Sequence, residues 1–176
     1  LDILSMDVNN DATSISFQFT LNGDIAATNW GKYMVIIDSV AGGDTAGNGW
    51  GRPISMSSGA DIWLGGWADG GPGDGVENRQ WDGAAWQLMG ATYNATPGLT
   101  VTKTTTTITY SVLLADLGLT VGQTILFDGF SSGGGGGDGA IDSAANPDFS
   151  VFDWGDAYNA GGSNPVSIVQ TGTGPC

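Results

Sequence analysis

Histidine is absent from this sequence, and cysteine occurs once, at the final position, Cys176. Without histidine the chain lacks the commonest general base and a common metal ligand, so Ser-His-Asp and Cys-His catalysis are excluded. A single cysteine excludes an internal disulfide. Paired carboxylates remain as a catalytic option, but such pairs occur by chance in an acidic chain. We therefore expect a protein that is not an enzyme.

Positive charge is scarce as well, with 4 Lys and Arg against 18 Asp and Glu and a net charge of −14. A surface this negative repels nucleic acids and anionic membranes. No apolar run approaches the roughly 18 residues of a transmembrane helix. Residues 1–8 already resemble a strand rather than a signal peptide, which indicates a mature or trimmed form. We expect no nucleic-acid partner and no membrane insertion.

Glutamate occurs only at Glu77, so nearly all the acidity comes from aspartate. Aspartate favours turns and glutamate favours helices, which argues against a helical protein and for Asp-bearing loops. Such a chain attracts divalent cations, although acidity can also serve solubility alone. Abundant Gly, Thr and Asn with little Lys is typical of bacterial surface proteins. We therefore expect an extracellular or cell-surface location.

Alternating apolar and polar side chains indicate strands along most of the chain. In the segment 13–21 the alternation is strict, and residues 32–38 are apolar on both faces, which predicts a central strand. A short helical turn is predicted at 113–118. Further strands are predicted at 1–8, 60–69, 77–82, 84–89, 104–113, 124–130, 149–154 and 165–170. The pattern predicts one domain over 1–176, an antiparallel, jelly-roll-like β-sandwich of about ten strands.

Three loops combine glycine with Asp or Asn, and the longest begins with the glycine run, Gly133–Gly137. The run lacks the Lys-Ser/Thr and the helix of a phosphate-binding loop. Calcium takes 6–8 oxygen ligands, and glycine lets a loop turn its oxygens inward. We therefore predict calcium as cofactor, although a long turn facing water stays open. The predicted ligands are Asp138, Asp142, Asn146 and Asp148, with Asp38 and Asp44 as a second group.

The chain contains seven tryptophans, several of them beside Asn, Asp, Gln or Arg. Flat aromatic faces next to polar side chains suit sugar rings, so Trp50, Trp81 and Trp86 are predicted to bind carbohydrate. Trp50 lies between glycines and is expected to be exposed. The alternative, that aromatic residues fill the core, is preferred for Trp63 and Trp154.

Strand-like segments lie near both ends of the sequence, and few lysines protect the strand edges. Unprotected edges can pair with strands of a neighbouring molecule, so we predict self-association through edge strands. Asn94 begins an N-glycosylation sequon, which predicts a glycoprotein, although the sequon precedes Pro97.

The segments KYMVIIDS, GADIWLGGW and ENRQWDGAAW, with a glycine loop after the first, carry a family resemblance. Together with the first strands and FSVFDWGDAYN, they resemble the calcium-binding β-sandwich domains of carbohydrate-binding module family 9, the DOMON-like group and the domains appended to glucodextranases. The resemblance implies a non-catalytic, extracellular, calcium-stabilised sandwich that often binds sugar.

Two functions follow from these observations. The first is a structural role, in which the chain is a calcium-stabilised subunit of an extracellular filament or surface assembly. The alternative is a carbohydrate-binding module of a secreted polysaccharide-active system, which would bring glycans as partners. The sequence carries no enzyme domain for such a module to serve, which favours assembly.

Overall fold

The computed structural model describes residues 1–68, 75–90, 98–146, 148–160 and 164–169. Within these residues the chain forms thirteen strands and two short 3-10 helices, at Ile25–Thr28 and Leu114–Leu117. The strands are β1 Ile3–Asn10, β2 Ser14–Leu21, β3 Lys32–Asp38, β4 Ile54–Met56, β5 Ile62–Trp67, β6 Gly75–Trp81, β7 Trp86–Met89, β8 Leu99–Lys103, β9 Thr107–Leu113, β10 Thr124–Ser132, β11 Ala140–Ser143, β12 Tyr158–Ala160 and β13 Asn164–Ser167.

The strands build the all-β sandwich that the sequence predicts. A four-stranded sheet in the order β1-β2-β9-β8 packs on a seven-stranded sheet in the order β11-β10-β3-β5-β6-β7, in which β13 also pairs with β10. Pairing within both sheets is antiparallel, as predicted. The strict alternation of β2 places its apolar face in the core between the sheets, where Ile15, Phe17, Phe19 and Leu21 are buried.

The seven-stranded sheet is covered on both faces. Met34 and Ile36 of β3 point away from the sandwich core, into a second apolar cluster with Ile54 and Met56 of β4. Because β3 lies between β10 and β5 and is buried on both faces, the prediction of a central strand at 32–38 is confirmed. Three of the seven tryptophans, Trp50, Trp63 and Trp86, belong to this second cluster.

The strand directions define two ends of the sandwich. Strands β3 and β10 run side by side in opposite directions, with Lys32 opposite Ser132 at one end and Asp38 opposite Leu126 towards the other. We call the first the glycine-run end, because residues 133–137 follow β10 there. We call the other the Asp38 end, where Gln123 Nε2 donates to the carbonyl of Ser39 at 2.7 Å.

Several local predictions differ from the structure. The segment 149–154, predicted as a strand, forms turns and bends. The strands predicted at 77–82 and 84–89 correspond to β6 and β7, which form a hairpin; because Trp81 pairs with Trp86, its loop has four residues, 82–85. The sequence also gave no signal for the helix Ile25–Thr28, in which the Asp24 side chain accepts from the N–H of Ala26. None of the helices in the described residues has the length and apolar character needed to span a bilayer.

Candidate functional site

The outer face of the seven-stranded sheet collects tryptophans from β5 and from the loop before β4. Trp63, Gly65 and Trp67 are alternate residues of β5 and point to this face. The Trp50 ring packs against the rings of Trp63 and Trp67, with centroid distances of 6.0 and 6.4 Å. A Cβ on Gly65 would collide with the Trp50 ring. Trp63 and Trp67 therefore share a face of β5, and Trp63 lies in the second cluster rather than the sandwich core.

Trp50 is held by charged neighbours. Its Nε1 donates to Glu77 Oε2 at 2.9 Å, and Arg79 Nε donates to the same oxygen at 2.6 Å. The guanidinium carbon of Arg52 lies 5.4 Å from the Trp50 ring centroid, a cation–π contact. Burial lowers the pKa of Arg52, while the negative charge of Asp138 raises it. Trp50, expected to be exposed, is half-buried with its N–H and ring already in contact with the protein.

Trp81 and Trp86 form a cross-strand pair on the β6–β7 hairpin, with ring centroids 5.8 Å apart and planes at 54°. Trp86 Nε1 donates to Asp44 Oδ2 at 2.8 Å, which ties the hairpin to the loop after β3. Both side chains are half-buried. The three tryptophans predicted to bind sugar are thus packed or hydrogen-bonded within the chain.

Among the described residues, the exposed aromatic side chains lie elsewhere, at the glycine-run end. Trp30 and Trp154 are 41% and 48% exposed, and their rings meet edge to face at 5.8 Å. Phe152, two residues before Trp154, is 97% exposed. We call these three residues the aromatic platform. The preference for Trp154 as a core residue was wrong, because the segment that carries it turns at the surface instead of pairing as a strand.

The platform rests on the glycine run. A Cβ on Gly133 would collide with the Asp138 carboxylate and would lie 2.9 Å from the Trp154 ring, while one on Gly134 would lie 3.4 Å from the carbonyl oxygen of Trp30. No residue of the run has a positive φ. Gly133 and Gly135 therefore allow the Asp138 carboxylate to approach the backbone closely.

The four predicted ligands around the glycine run differ in their hydrogen-bond partners and in their exposure. Asp138 Oδ2 accepts from the N–H of Gly135 at 2.8 Å. Asp142 accepts from the N–H groups of Ile3 and Ser143 at 2.6 and 2.8 Å, and burial raises its pKa. Asn146 and Asp148 are exposed.

Asp38 and Asp44, the second group of predicted ligands, also have different neighbours. Burial raises the pKa of Asp38, with the Ser58 hydroxyl opposing and the Asp61 charge adding to this shift. Asp44 Oδ1 instead accepts from the N–H groups of Ala46 and Gly47 at 2.9 and 3.1 Å. Across the described residues, no three side chains of the types His, Cys, Asp and Glu form a group that could hold a metal ion. Calcium at these loops stays a prediction.

A buried carboxyl that the sequence analysis missed lies on β10. Asp128 is fully buried, and its Oδ1 accepts from the N–H groups of Gly129 and Ala145 at 2.7 and 3.0 Å. Its Oδ2 accepts from the Ser143 hydroxyl at 2.9 Å, which lies 3.0 Å from the Tyr158 hydroxyl. Burial raises the pKa of Asp128 to about 6, against the opposing effect of these hydrogen bonds.

An apolar cavity of about 510 Å³ opens at the Asp38 end. It lies between the β1–β2 turn and the segment that joins β9 to β10, and Leu113 and Val121 on its rim are 45% and 43% exposed. Its lining residues are uncharged: Ala12, Thr13, Leu113, Leu114, Ala115, Leu119, Thr120 and Val121. Nothing in the pattern of residues predicts this cavity, because a cavity depends on how distant segments meet.

Comparison with known proteins found no matching family model, no matching curated protein and no matching solved structure. The resemblance to carbohydrate-binding and DOMON-like domains therefore stays a prediction. The glycosylation site predicted at Asn94 and the terminal Cys176 lie outside the described residues.

Proposed function

We propose that the chain is a non-catalytic extracellular structural protein, a subunit that joins copies of itself into a filament or surface assembly. The observation that carries this proposal is Phe152, which is 97% exposed two residues from the half-exposed Trp154. Large apolar side chains exposed together on a soluble protein mark interaction sites, because water contact costs free energy that a partner can recover.

The platform and the apolar cavity lie at opposite ends of the sandwich. Trp30 precedes Lys32 and the glycine run follows Ser132, which pairs with Lys32. Val121 precedes β10, in which Leu126 pairs with Asp38 at the Asp38 end. The nine residues of β10 separate the two ends, a distance of about 26 Å at 3.3 Å per residue.

An aromatic projection at one end and an uncharged apolar cavity at the other suit a head-to-tail contact between copies. The cavity volume of about 510 Å³ leaves room for a phenyl side chain. A head-to-tail contact is heterologous, so each added copy presents a new free end, and an open filament results unless the rotation closes a ring. This mechanism accounts for both surfaces at once.

The predicted pairing through strand edges has less support, because side chains on both edge strands of the four-stranded sheet, β1 and β8, form hydrogen bonds within the subunit. On β1, the Asn10 side chain donates to the carbonyl of Ser167 at 3.2 Å and accepts from the N–H of Val169 at 2.8 Å. On β8, Lys103 Nζ donates to the carbonyl of Ala68 at 3.3 Å. Side chains that bond across a sheet edge hinder strand addition by a neighbour.

A mixing experiment tests the head-to-tail contact. The variant Phe152→Asn removes the projection and keeps the cavity, whereas Val121→Asn alters the cavity rim and keeps the projection. We expect each variant alone to stay monomeric in sedimentation velocity where the unaltered protein polymerises. We expect an equimolar mixture of the two to form dimers and no larger species, because each pair contains one intact contact.

Leu4→Asn is the matched control, because Leu4 is 61% exposed on β1 and belongs to neither surface. It should polymerise like the unaltered protein. Monomers of the unaltered protein at all concentrations and salt conditions, confirmed by electron microscopy, would exclude the assembly role. Polymers of Phe152→Asn would exclude the platform as the contact.

A second candidate, carbohydrate binding, is favoured by the Trp30–Trp154 pair. Their rings meet at 64° beside the exposed backbone of residues 134–137. Two tilted aromatic faces can stack on successive sugar rings of a twisted polysaccharide. Retarded migration in polysaccharide-containing gels that Trp154→Ala abolishes would support this function, and unretarded migration on cellulose, xylan and glucan gels would count against it.

A further inference from the structure

The four-stranded sheet has one face in the core and one face towards solvent, and the outward face consists mainly of hydroxyl side chains. The alternation that buries Phe17 and Phe19 of β2 turns the residues between them outward. The outward side chains are the alternate residues in the ranges 5–9 on β1, 14–20 on β2, 107–111 on β9 and 100–102 on β8. Most of them are Ser or Thr. We call this surface the hydroxyl face.

The strand register makes the side chains of the hydroxyl face neighbours. Ser111 of β9 lies opposite Ser16 of β2 on one side and opposite Thr100 of β8 on the other. Two residues along β9, Thr109 lies opposite Gln18, whose amide nitrogen donates to Thr109 Oγ1 at 2.9 Å. The hydroxyl groups therefore form one continuous surface across the sheet.

The hydroxyl face carries little of the charge of this acidic chain. The sequence contains 18 Asp and Glu residues, yet among the outward positions of these four strands the charged residue is Asp7, on the edge strand β1. Lys103, at the end of β8, donates through its Nζ to the carbonyl of Ala68 at 3.3 Å. Negative charge keeps copies of an acidic protein apart. A face with a single carboxylate offers little of that repulsion to a second copy.

Hydroxyl groups also make the face complementary to itself. Each hydroxyl both donates and accepts a hydrogen bond, so a surface of hydroxyl groups can bond to a copy of itself, whereas two carboxylates are both acceptors and repel. Such a contact between identical surfaces is isologous. Ser and Thr side chains have few rotatable bonds, so holding them in a contact costs less entropy than holding long side chains.

Other occupants fit the hydroxyl face less well. The outward positions include no aromatic ring on which a sugar could stack and no Lys or Arg that could bind an anionic polymer. A second copy of the chain needs neither of these features. The chemistry of the face therefore favours another copy over a polysaccharide or a nucleic acid.

We propose that the hydroxyl face is a lateral contact between copies of this chain, through which neighbouring filaments associate side by side. The inference rests on the proposed filament and adds a second contact to the one between the platform and the apolar cavity. Four strands about 4.8 Å apart and eight residues at about 3.3 Å each give the face roughly 500 Å². A stable complex buries about 800 Å² per partner. One contact is therefore too weak to hold two subunits, whereas a row of contacts along two filaments acts together.

Electron microscopy of filaments in about 300 mM sodium chloride, where the screening distance is roughly 6 Å, tests the lateral contact. We expect filaments of the unaltered protein to form side-by-side bundles. Ser111→Asp places a carboxylate in the middle of the face, and Thr102→Asp places one at an exposed position on its β8 edge. Each variant should form single filaments, because like charges then meet across the contact.

Ser57→Asp is the matched control. It adds the same charge in the exposed turn after β4, which lies on the outer face of the other sheet, and its filaments should form bundles like those of the unaltered protein. Near-ultraviolet circular dichroism shows whether each variant is folded, and Thr102→Asp decides the test if Ser111→Asp does not fold. Single filaments of the unaltered protein, or bundles of the folded face variants, would overturn the lateral contact.

A bead assay separates failure of the lateral contact from failure of the filament. Beads coated densely with Phe152→Asn through the thiol of Cys176 present many copies that lack the platform contact. In the same salt we expect these beads to cluster and to scatter several-fold more light than beads that carry Phe152→Asn together with Thr102→Asp. Equal scattering would overturn the lateral contact. Clustering in the absence of any filaments would support the contact between copies and exclude the proposed filament.

Discussion

Asp128 is a carboxyl group that the alternation of β10 places in an apolar layer. Leu126, Asp128 and Phe130 alternate on β10, so they share the face that contributes to the second apolar cluster. That alternation was readable in the sequence and marks the acid as buried. The sequence could not show that Ser143 and the N–H of Ala145 would meet it, because they belong to the next strand and turn.

The raised pKa of Asp128 gives stability a definite pH dependence. The folded chain binds this proton more tightly than the unfolded chain, because its pKa rises from 3.8 to about 6 on folding. The free energy of unfolding should therefore fall as pH rises from about 4 to about 6, by at most about 3 kcal/mol, and then level off. Urea unfolding between pH 4 and pH 7.5 measures this fall, which Asp128→Asn should reduce.

Burial also raises the pKa values of Asp38 and Asp142, so these residues contribute in the same direction and some pH dependence should remain in the variant. The matched control is Asp11→Asn: the N–H of Thr13 lowers the pKa of Asp11 to about 2, so its contribution changes only at lower pH and the variant should keep the shape of the profile. Identical profiles for Asp128→Asn and the unaltered protein would show that water reaches this carboxyl.

Among the elements, β5 illustrates how the outer face of the sheet is packed. Its glycine at position 65 lies beneath the Trp50 ring, and Gly66 faces the Tyr110 hydroxyl on the opposite side. A strand normally loses stability through glycine, but here the missing side chains admit an indole on one face and a tyrosine on the other. The two glycines thus let both layers approach the sheet.

Gly65→Ala should destabilise the fold by about 1–3 kcal/mol, because the added methyl group displaces the Trp50 ring from a packed position. The measurement is the urea midpoint at constant slope. Gly136→Ala is the control, since a Cβ there meets nothing within 4 Å, and it should change stability by less than about 0.5 kcal/mol. Equal stability of the two variants would mean that the indole moves aside at no cost.

Period-two patterning was sufficient to predict the long strands, including the central β3, because each has an unambiguous buried face. It failed at 149–154, where Asp156 Oδ2 accepts from the N–H groups of Phe152 and Asp153, both at 3.0 Å. A side chain that captures backbone donors competes with a strand ladder. The candidate surfaces depend on such local choices, which is why the platform was missed while the sandwich was predicted.

On the scale of the whole molecule, the few positively charged side chains form hydrogen bonds within the chain. Arg52 Nη1 donates to the Ser132 hydroxyl at 2.7 Å, and Arg79 pairs with Glu77 at 2.6 Å. Lys32 and Lys103 donate to the backbone carbonyls of the residues before β3 and after β5. The net charge of −14 is therefore expressed mainly as negative charge at the surface.

Copies that meet head to tail repel one another at low ionic strength, since both ends belong to a negatively charged molecule. Raising sodium chloride from about 20 mM to about 300 mM shortens the screening distance from roughly 20 Å to roughly 6 Å. Light scattering at fixed protein concentration should therefore show longer polymers at the higher salt. Dissociation on adding salt would instead point to an ionic contact rather than the apolar one.

The tryptophans also divide the molecule into two optical populations. Five indoles lie on the outer face of the seven-stranded sheet, and their neighbouring rings are about 6 Å apart, close enough for excited-state coupling to give a strong near-ultraviolet circular dichroism signal. Trp30 and Trp154 emit from a solvent-exposed position at the glycine-run end. Acrylamide is a neutral quencher that the surface charge does not repel. Its quenching of tryptophan fluorescence therefore reports whether a partner covers the glycine-run end, without any attached label.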